Sequence, residues 1–157
     1  MRIYISLIVL LFSLLLFSCD PSSLFEENVE VPGALWHKDS SFHFTFEITD
    51  TVSLYNFYMN VRNSESYGYS NLYTFNELSF PNGKKAVDTL ECTLSDPTGR
   101  WYGKGLGDLY ESRHIYKEGI RFPLTGTYHI RVFQAMRTDQ LNGINDIGIR
   151  IGKYGIK

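Results

Sequence analysis

Apolar and polar residues alternate one by one along much of the chain, which is the period of a β-strand that buries one face. The clearest case is 41–49, where Phe42, Phe44, Phe46 and Ile48 alternate with polar residues. Five more segments are predicted as strands: 55–61, 72–80, 86–94, 127–136 and 144–151. The strand at 72–80 is predicted from its aromatic and β-branched content, and Asp88 interrupts the apolar face of 86–94. The alternation therefore predicts six or more strands, each with one apolar face toward a core.

Turn residues separate the predicted strands. Pro81-Asn82-Gly83-Lys84 is a strong turn signal, because Asn-Gly tolerates positive φ. No segment has a long helical period, and short helical turns are expected only around Asp108–Tyr116 and Asp139–Asn142. Short strands with this punctuation predict an all-β protein, a single antiparallel β-sandwich. Both a jelly-roll-like and an immunoglobulin-like topology remain open.

The first 18 residues have the layout of a secretory signal, with a positive start, an apolar middle and a small residue before the cut. Arg2 is their only charge, and the apolar run from Ile3 to Phe17 is shorter than the ~20 residues of a spanning helix. The run ends at Leu16-Phe17-Ser18-Cys19, which resembles a bacterial lipobox. This ending predicts cleavage before Cys19 and lipid attachment to that cysteine.

We therefore expect a signal peptide at 1–18, a lipid-anchored tether at 19–32 and the sandwich domain at 33–157. The tether prediction rests on the acidic run 26–30, Glu-Glu-Asn-Val-Glu. Such a run is typical of a solvated spacer, and it also resembles the acidic export signal of some surface lipoproteins. The expected location is the cell envelope outside the cytoplasm, on the outer membrane, with the leaflet left open.

The charge of the chain excludes one class of partner, and its cysteine content excludes an internal disulfide. The chain has 15 basic and 17 acidic residues and no basic stripe, which argues against nucleic acid as a partner. Once Cys19 carries lipid, only Cys92 remains, so no internal disulfide can form. Cys92 falls in an alternating apolar pattern, where a cysteine serves as a small core residue.

The longest segment without alternation is 95–122. It opens with Asp96-Pro97-Thr98-Gly99, a turn sequence. The glycines at 103, 105 and 107 do not have the spacing of a phosphate-binding loop. One interpretation is a glycine-rich loop that crosses the sandwich edge with a tryptophan packed beneath it. The other is a partner-binding loop, because Trp, Tyr and Arg are enriched at binding hot spots. Its candidate residues are Asp96, Arg100, Trp101, Tyr102, Lys104 and Asp108.

Nothing in the sequence indicates catalysis. The four histidines are scattered, and the zinc-protease, Cys-x-x-Cys and serine-hydrolase motifs are absent. Aspartates 96, 108, 139 and 146 lie in loop-like stretches and could together hold calcium, although loop aspartates usually serve turns. The sequence therefore predicts no catalytic residue, no metal site and no cofactor.

Several sequence blocks together resemble the gliding-motility lipoprotein GldH family. They are 96–108 (DPTGRWYGKGLGD), 122–128 (FPLTGTY), 134–137 (QAMR) and 143–148 (GINDIG). The resemblance implies a non-catalytic, membrane-anchored lipoprotein that supports gliding and the associated type IX secretion machinery of Bacteroidetes. Its partners would be envelope proteins of that apparatus. The alternative is a carbohydrate-binding jelly-roll lipoprotein, whose sugar platform would use Trp36, Trp101, Tyr67, Tyr69 and Tyr73.

Overall fold

The computed structural model describes residues 23–155, which form eleven strands and one short 3-10 helix, Pro32–Ala34. The predicted signal peptide and Cys19 lie outside the described residues. The strands are β1 (Ser23–Glu30), β2 (Leu35–His37), β3 (Ser41–Ile48), β4 (Tyr55–Ser64), β5 (Asn71–Ser79), β6 (Lys85–Thr93), β7 (Lys104–Leu106), β8 (Leu109–Ile120), β9 (Gly126–Gln134), β10 (Gln140–Asn142) and β11 (Ile144–Lys153).

Two antiparallel sheets pack face to face. The first has the order β1-β11-β4-β8-β7 and the second has the order β3-β9-β5-β6, while β10 and β2 form a small separate pair. All of these neighbours run antiparallel. The predicted all-β class and antiparallel sandwich are confirmed.

The core lies between the inner faces of the two sheets, as the alternation predicts. Phe44, Phe46 and Ile48 of β3 are buried, and so are the alternate residues of β4 from Tyr55 to Val61. Phe46 bridges the sheets, since its ring centroid lies 5.6 Å from that of Tyr128 in β9 and 6.0 Å from that of Phe57 in β4. Aromatic pairs at these separations add to the free energy of burial.

The predicted tether is wrong from residue 23 onward, because Ser23–Glu30 is an edge strand. It pairs with β11 from Ser23↔Gly152 to Glu30↔Asp146. One of its acidic side chains has partners in the sheet: Glu26 accepts from Arg113 Nη2 over 2.7 Å and also pairs with Arg150. Charge on an edge strand also discourages pairing with other chains. The sandwich domain therefore begins near Ser23 rather than at residue 33.

The helical turns expected around Asp108–Tyr116 and Asp139–Asn142 are also wrong. The first segment lies mainly in β8, the longest strand, and the second in β10. Residues of β8 that face the core include Ser112 and His114, which lie opposite the buried residues Val61 and Met59 of β4. Polar side chains on the inward phase conceal the alternation that marks the other strands.

The two ends of the sandwich carry different loops. Ser23, the turns at 49–54 and 80–84, the loop at 121–125 and residues 153–155 lie at one end, called here the proximal end. Residues 64–70, 94–103 and 135–139 lie at the opposite, distal end. The ten residues of β4 run between them. At about 3.4 Å per residue, the ends are roughly 30 Å apart.

Candidate functional site

The turn at Asp96 is built around its own carboxylate. Oδ1 of Asp96 accepts hydrogen bonds from the backbone N–H groups of Thr98 (2.9 Å) and Arg100 (3.0 Å). The Gly99 N–H donates to the Asp96 carbonyl over 2.9 Å, and Gly99 has the φ of +88° that favours glycine. The predicted turn is confirmed. A hydrogen bond from the Thr98 hydroxyl, together with those from the backbone N–H groups, holds the pKa of Asp96 below its usual value.

Arg100 projects from this turn into solvent. Its Nε donates to Asp96 Oδ2 over 3.2 Å, yet its side chain remains 81% exposed, whereas that of Asp96 is only 15% exposed. An exposed ion pair of this kind contributes little to stability. The guanidinium is therefore positioned by the turn while most of its donors stay available to another molecule.

Trp101 forms the base of the turn. Its ring centroid lies 6.4 Å from that of Tyr67 and 5.9 Å from that of Tyr110, and the ring packs against the core while staying partly exposed. Tyr67 is buried, and its hydroxyl donates to the Asn71 carbonyl over 2.9 Å. The interpretation of Trp101 as a packed residue is correct, and this packing gives the turn above it a rigid support.

The segment 95–122, predicted as one long irregular stretch, is in fact a turn followed by two strands, β7 and β8. β7 pairs with β8 from Lys104↔Glu111 to Leu106↔Leu109. A Cβ at Gly103 would lie 2.9 Å from the Glu111 carbonyl oxygen, so this glycine permits close approach of two backbones. Tyr102 is 57% exposed, and Lys104 and Asp108 are also exposed.

Tyr102 and Lys104 line an open groove at the side of the sandwich. Thr93 of β6 and residues 111–114 of β8 complete the groove, which has a volume of about 640 Å³. Burial lowers the pKa of His114 in this groove, and its Nε2 lies 2.8 Å from the Ser112 hydroxyl. No sequence pattern predicts the position of His114, because a strand with polar residues on its inner face has no apolar period.

A second concave surface lies near the turn. Tyr69, Tyr73, Ala135, Met136 and Arg137 line a depression of about 490 Å³. The Tyr69 ring lies 5.6 Å from that of Tyr67, which in turn contacts Trp101. The candidate turn and this depression are therefore joined through adjoining aromatic rings.

The predicted sugar platform does not assemble. Trp36 and Tyr67 are buried, and Trp101 is partly covered, so these rings cannot form a flat exposed row. Trp36 packs edge-on to Phe42 at 5.1 Å and donates to the Ser40 carbonyl over 3.2 Å. Of the five rings, only Tyr69 and Tyr73 reach the second depression.

The Cys92 thiol, the possible metal ligands and the apolar segments were the other features that could indicate function. Cys92 is a free, fully buried thiol, and burial raises its pKa to about 12, which confirms its place in the core. Between residues 23 and 155, no group of His, Cys, Asp or Glu side chains is arranged to hold a metal ion. The same part of the chain contains no helix long and apolar enough to cross a membrane.

Comparison with known proteins places the chain in a family. The model of the GldH lipoprotein family matches residues 23–151, which is nearly the whole sandwich. The chain belongs to this family. Membership implies a lipid anchor and therefore attachment to a membrane.

Two relatives match almost end to end. The gliding motility lipoprotein GldH of Flavobacterium johnsoniae is 39% identical over 96% of this chain and 98% of its own length. The gliding motility lipoprotein GldH homolog of Christiangramia forsetii is 38% identical over 98% of both chains. Neither name states a catalytic activity. Among solved structures, a 4-O-methyl-alpha-glucuronidase aligns over 89% of this chain and 18% of its own, with 10% identity and a TM-score of 0.42.

Proposed function

We propose that the protein is a non-catalytic, lipid-anchored component of the gliding apparatus whose distal end docks other envelope proteins. Family membership and the names of its relatives support the process. The Asp96–Arg100 turn with the adjoining Tyr102 and Lys104 supports the docking role. Within the same proposal, the protein also serves the associated type IX secretion machinery and resides on the outer membrane.

The anchor in this proposal is lipid on Cys19, which supplies the membrane attachment of a lipoprotein. Two or more acyl chains hold a protein stably on a bilayer, since each buried CH₂ contributes about 0.8 kcal/mol. Cys19→Ala is expected to abolish incorporation of labelled palmitate and to leave uncleaved precursor. Equal labelling of the variant and the parent protein would contradict the assignment.

One observation carries the docking role: the turn is rigid at its base and open at its tip. Trp101 packs against Tyr67 and Tyr110, whereas Arg100 and Tyr102 stay exposed above it. Arg and Tyr on a preorganised support lose little conformational entropy on binding, which is the setting in which hot spots occur. The two adjoining depressions enlarge the surface that a partner can cover.

The docking role is tested by cross-linking the lipidated protein in intact cells and quantifying the envelope proteins recovered with it. We expect Arg100→Ala combined with Lys104→Ala to lower that recovery at least several-fold with unchanged melting. The matched control is Lys85→Ala combined with Lys117→Ala, which removes the same charge from the sheet edges, where each lysine forms a surface ion pair. Equal recovery from the two double variants would argue against the distal turn as the docking site.

A further inference from the structure

The described structure begins very near the proposed anchor. Only Asp20, Pro21 and Ser22 separate Cys19 from Ser23, the first residue of β1. Even a fully extended chain spans at most about 3.6 Å per residue, so Ser23 lies within roughly 15 Å of the lipidated cysteine. If Cys19 carries lipid, as the proposed function holds, the proximal end of the sandwich is held against the membrane surface.

The proximal end exposes large apolar side chains toward that surface. They are Leu24, Val52, Leu54 and Tyr154. Val52 is 78% exposed, more than any other large apolar side chain that the structure describes between residues 23 and 155, and Tyr154 is 48% exposed. Tyrosine is well suited to a membrane interface, because its ring is apolar and its hydroxyl can remain hydrated.

The turn that carries Val52 is held in place by several hydrogen bonds. Oδ1 of Asp50 accepts from the backbone N–H of Val52 over 2.7 Å and from that of Ser53 over 3.1 Å. Nε of Arg121 donates to the Val52 carbonyl over 3.1 Å. The polar groups of the turn therefore satisfy one another within the protein, and the valine side chain is left pointing away from the core.

The C-terminal part of the chain completes the same surface. The Tyr154 N–H donates to the Leu54 carbonyl over 2.9 Å, and the Tyr154 ring packs over Gly119. Basic residues Arg121 and Lys153 lie beside these apolar groups, and the carboxylate of Asp50 is occupied by the turn. In such an arrangement the apolar side chains can contact the acyl chains of a bilayer, while the long basic side chains reach its phosphate headgroups.

We propose that the proximal end is a membrane-contact surface, on which Val52, Leu54, Tyr154 and Leu24 lie at the headgroup boundary of the bilayer that holds the lipid anchor. This contact rests on lipid attachment at Cys19. It orients the sandwich with its strands rising from the membrane, so that the Asp96–Arg100 turn is presented about 30 Å away, toward other envelope proteins.

The contact is tested by spin labelling the full lipidated protein in vesicles of phosphatidylethanolamine with phosphatidylglycerol. The label is placed at Val52→Cys or, as a control, at Asp39→Cys. Asp39 lies at the distal end, because the backbone N–H of its neighbour Lys38 donates to the Asp139 carbonyl over 2.8 Å, and its side chain is also highly exposed. Cys92 is buried with a raised thiol pKa and stays unlabelled. Collisions with oxygen, which enters lipid, are compared with collisions with a water-soluble nickel chelate. Mass spectrometry of the same preparation determines whether Cys19 is acylated.

We expect the ratio of oxygen to nickel collisions at Val52→Cys to exceed that at Asp39→Cys several-fold in acylated protein. Equal, water-like ratios at both positions in acylated protein would overturn the contact surface and leave the anchor intact. A label at Val52→Cys shielded from both reagents would place protein there instead of lipid and would also overturn it. Absence of acyl mass on Cys19 would overturn the contact together with the anchor on which it rests.

Discussion

Arg100 is bonded to the carboxylate that shapes its own turn, since its Nε donates to Asp96 Oδ2 over 3.2 Å and its N–H donates to Asp96 Oδ1 over 3.0 Å. One side chain thus fixes both the backbone at Arg100 and the direction of its guanidinium. This relationship lets the two roles of the segment be separated. Asp96 determines whether the turn forms, and Arg100 determines what the turn offers to a partner.

The first prediction concerns the pH dependence of this turn. Because hydrogen bonds hold the folded pKa of Asp96 below its usual value, the ionised carboxylate stabilises the fold above about pH 4. That contribution is lost as the pH falls through the lowered folded pKa. We expect Asp96→Asn to be less stable than the parent protein at pH 7 and to approach it in stability near pH 2. Denaturant unfolding at both pH values measures this; a constant difference would contradict the role of the carboxylate.

The second prediction tests the register of β3. Phe44 is buried between the sheets, so Phe44→Ala is expected to lower the free energy of unfolding by about 3–5 kcal/mol. The neighbouring Thr45 is exposed, and its hydroxyl forms a hydrogen bond with His129 across the sheet surface over 2.9 Å. Thr45→Ala should therefore cost about 1 kcal/mol or less. Equal losses in urea melts would refute the assignment of the two faces.

The strands that the sequence predicts and the ones it misses differ in which residues occupy the inner phase. β3 and β4 place Phe, Tyr, Met, Val and Ile there, so the alternation is visible from composition alone. β8 places Ser112 and His114 on that phase, and β1 carries three acidic or amide residues in a row from Glu26. For these two strands, pairing with β4 and β11 overrides a weak local signal.

The candidate site could be predicted only in part, because some of its contacts join residues that are far apart in the sequence. The turn at Asp96 follows from local chemistry, because Asp, Pro and Gly each impose a known conformation. The contact of Trp101 with Tyr67 joins residues far apart in the sequence, and the groove that contains His114 exists only once β6 and β8 come together. Such juxtapositions are set by topology and leave no trace in the spacing of residues.

A third prediction concerns Gly143, which lies directly after β10. Its φ is +92°, and a Cβ there would be 2.7 Å from the backbone nitrogen of Tyr67. We expect Gly143→Ala to destabilise the protein by at least about 2 kcal/mol, combining backbone strain with overpacking. Gly68→Ala is the matched control, since no atom lies within 4 Å of its Cβ position. Similar melting of the two variants would contradict the close approach at Gly143.

A fourth prediction is that Cys92 stays unreactive in the folded protein. The thiolate is the reactive form, and burial raises the pKa of this thiol to about 12. A maleimide reagent at pH 7.5 should label the native protein only at the rate of unfolding and should label it within minutes in denaturant. Rapid native labelling, or a dimer linked through Cys92, would show that the thiol is accessible.

Colony spreading tests the central claim most directly. A gliding host that lacks its own GldH relative is given the parent protein, Arg100→Ala with Lys104→Ala, or the control Lys85→Ala with Lys117→Ala, at equal amounts in the membrane. If the distal turn docks envelope partners, the first double variant spreads much more slowly than the other two strains, although it melts and acylates like the parent. Spreading of all three at the same rate would contradict a functional role for the turn.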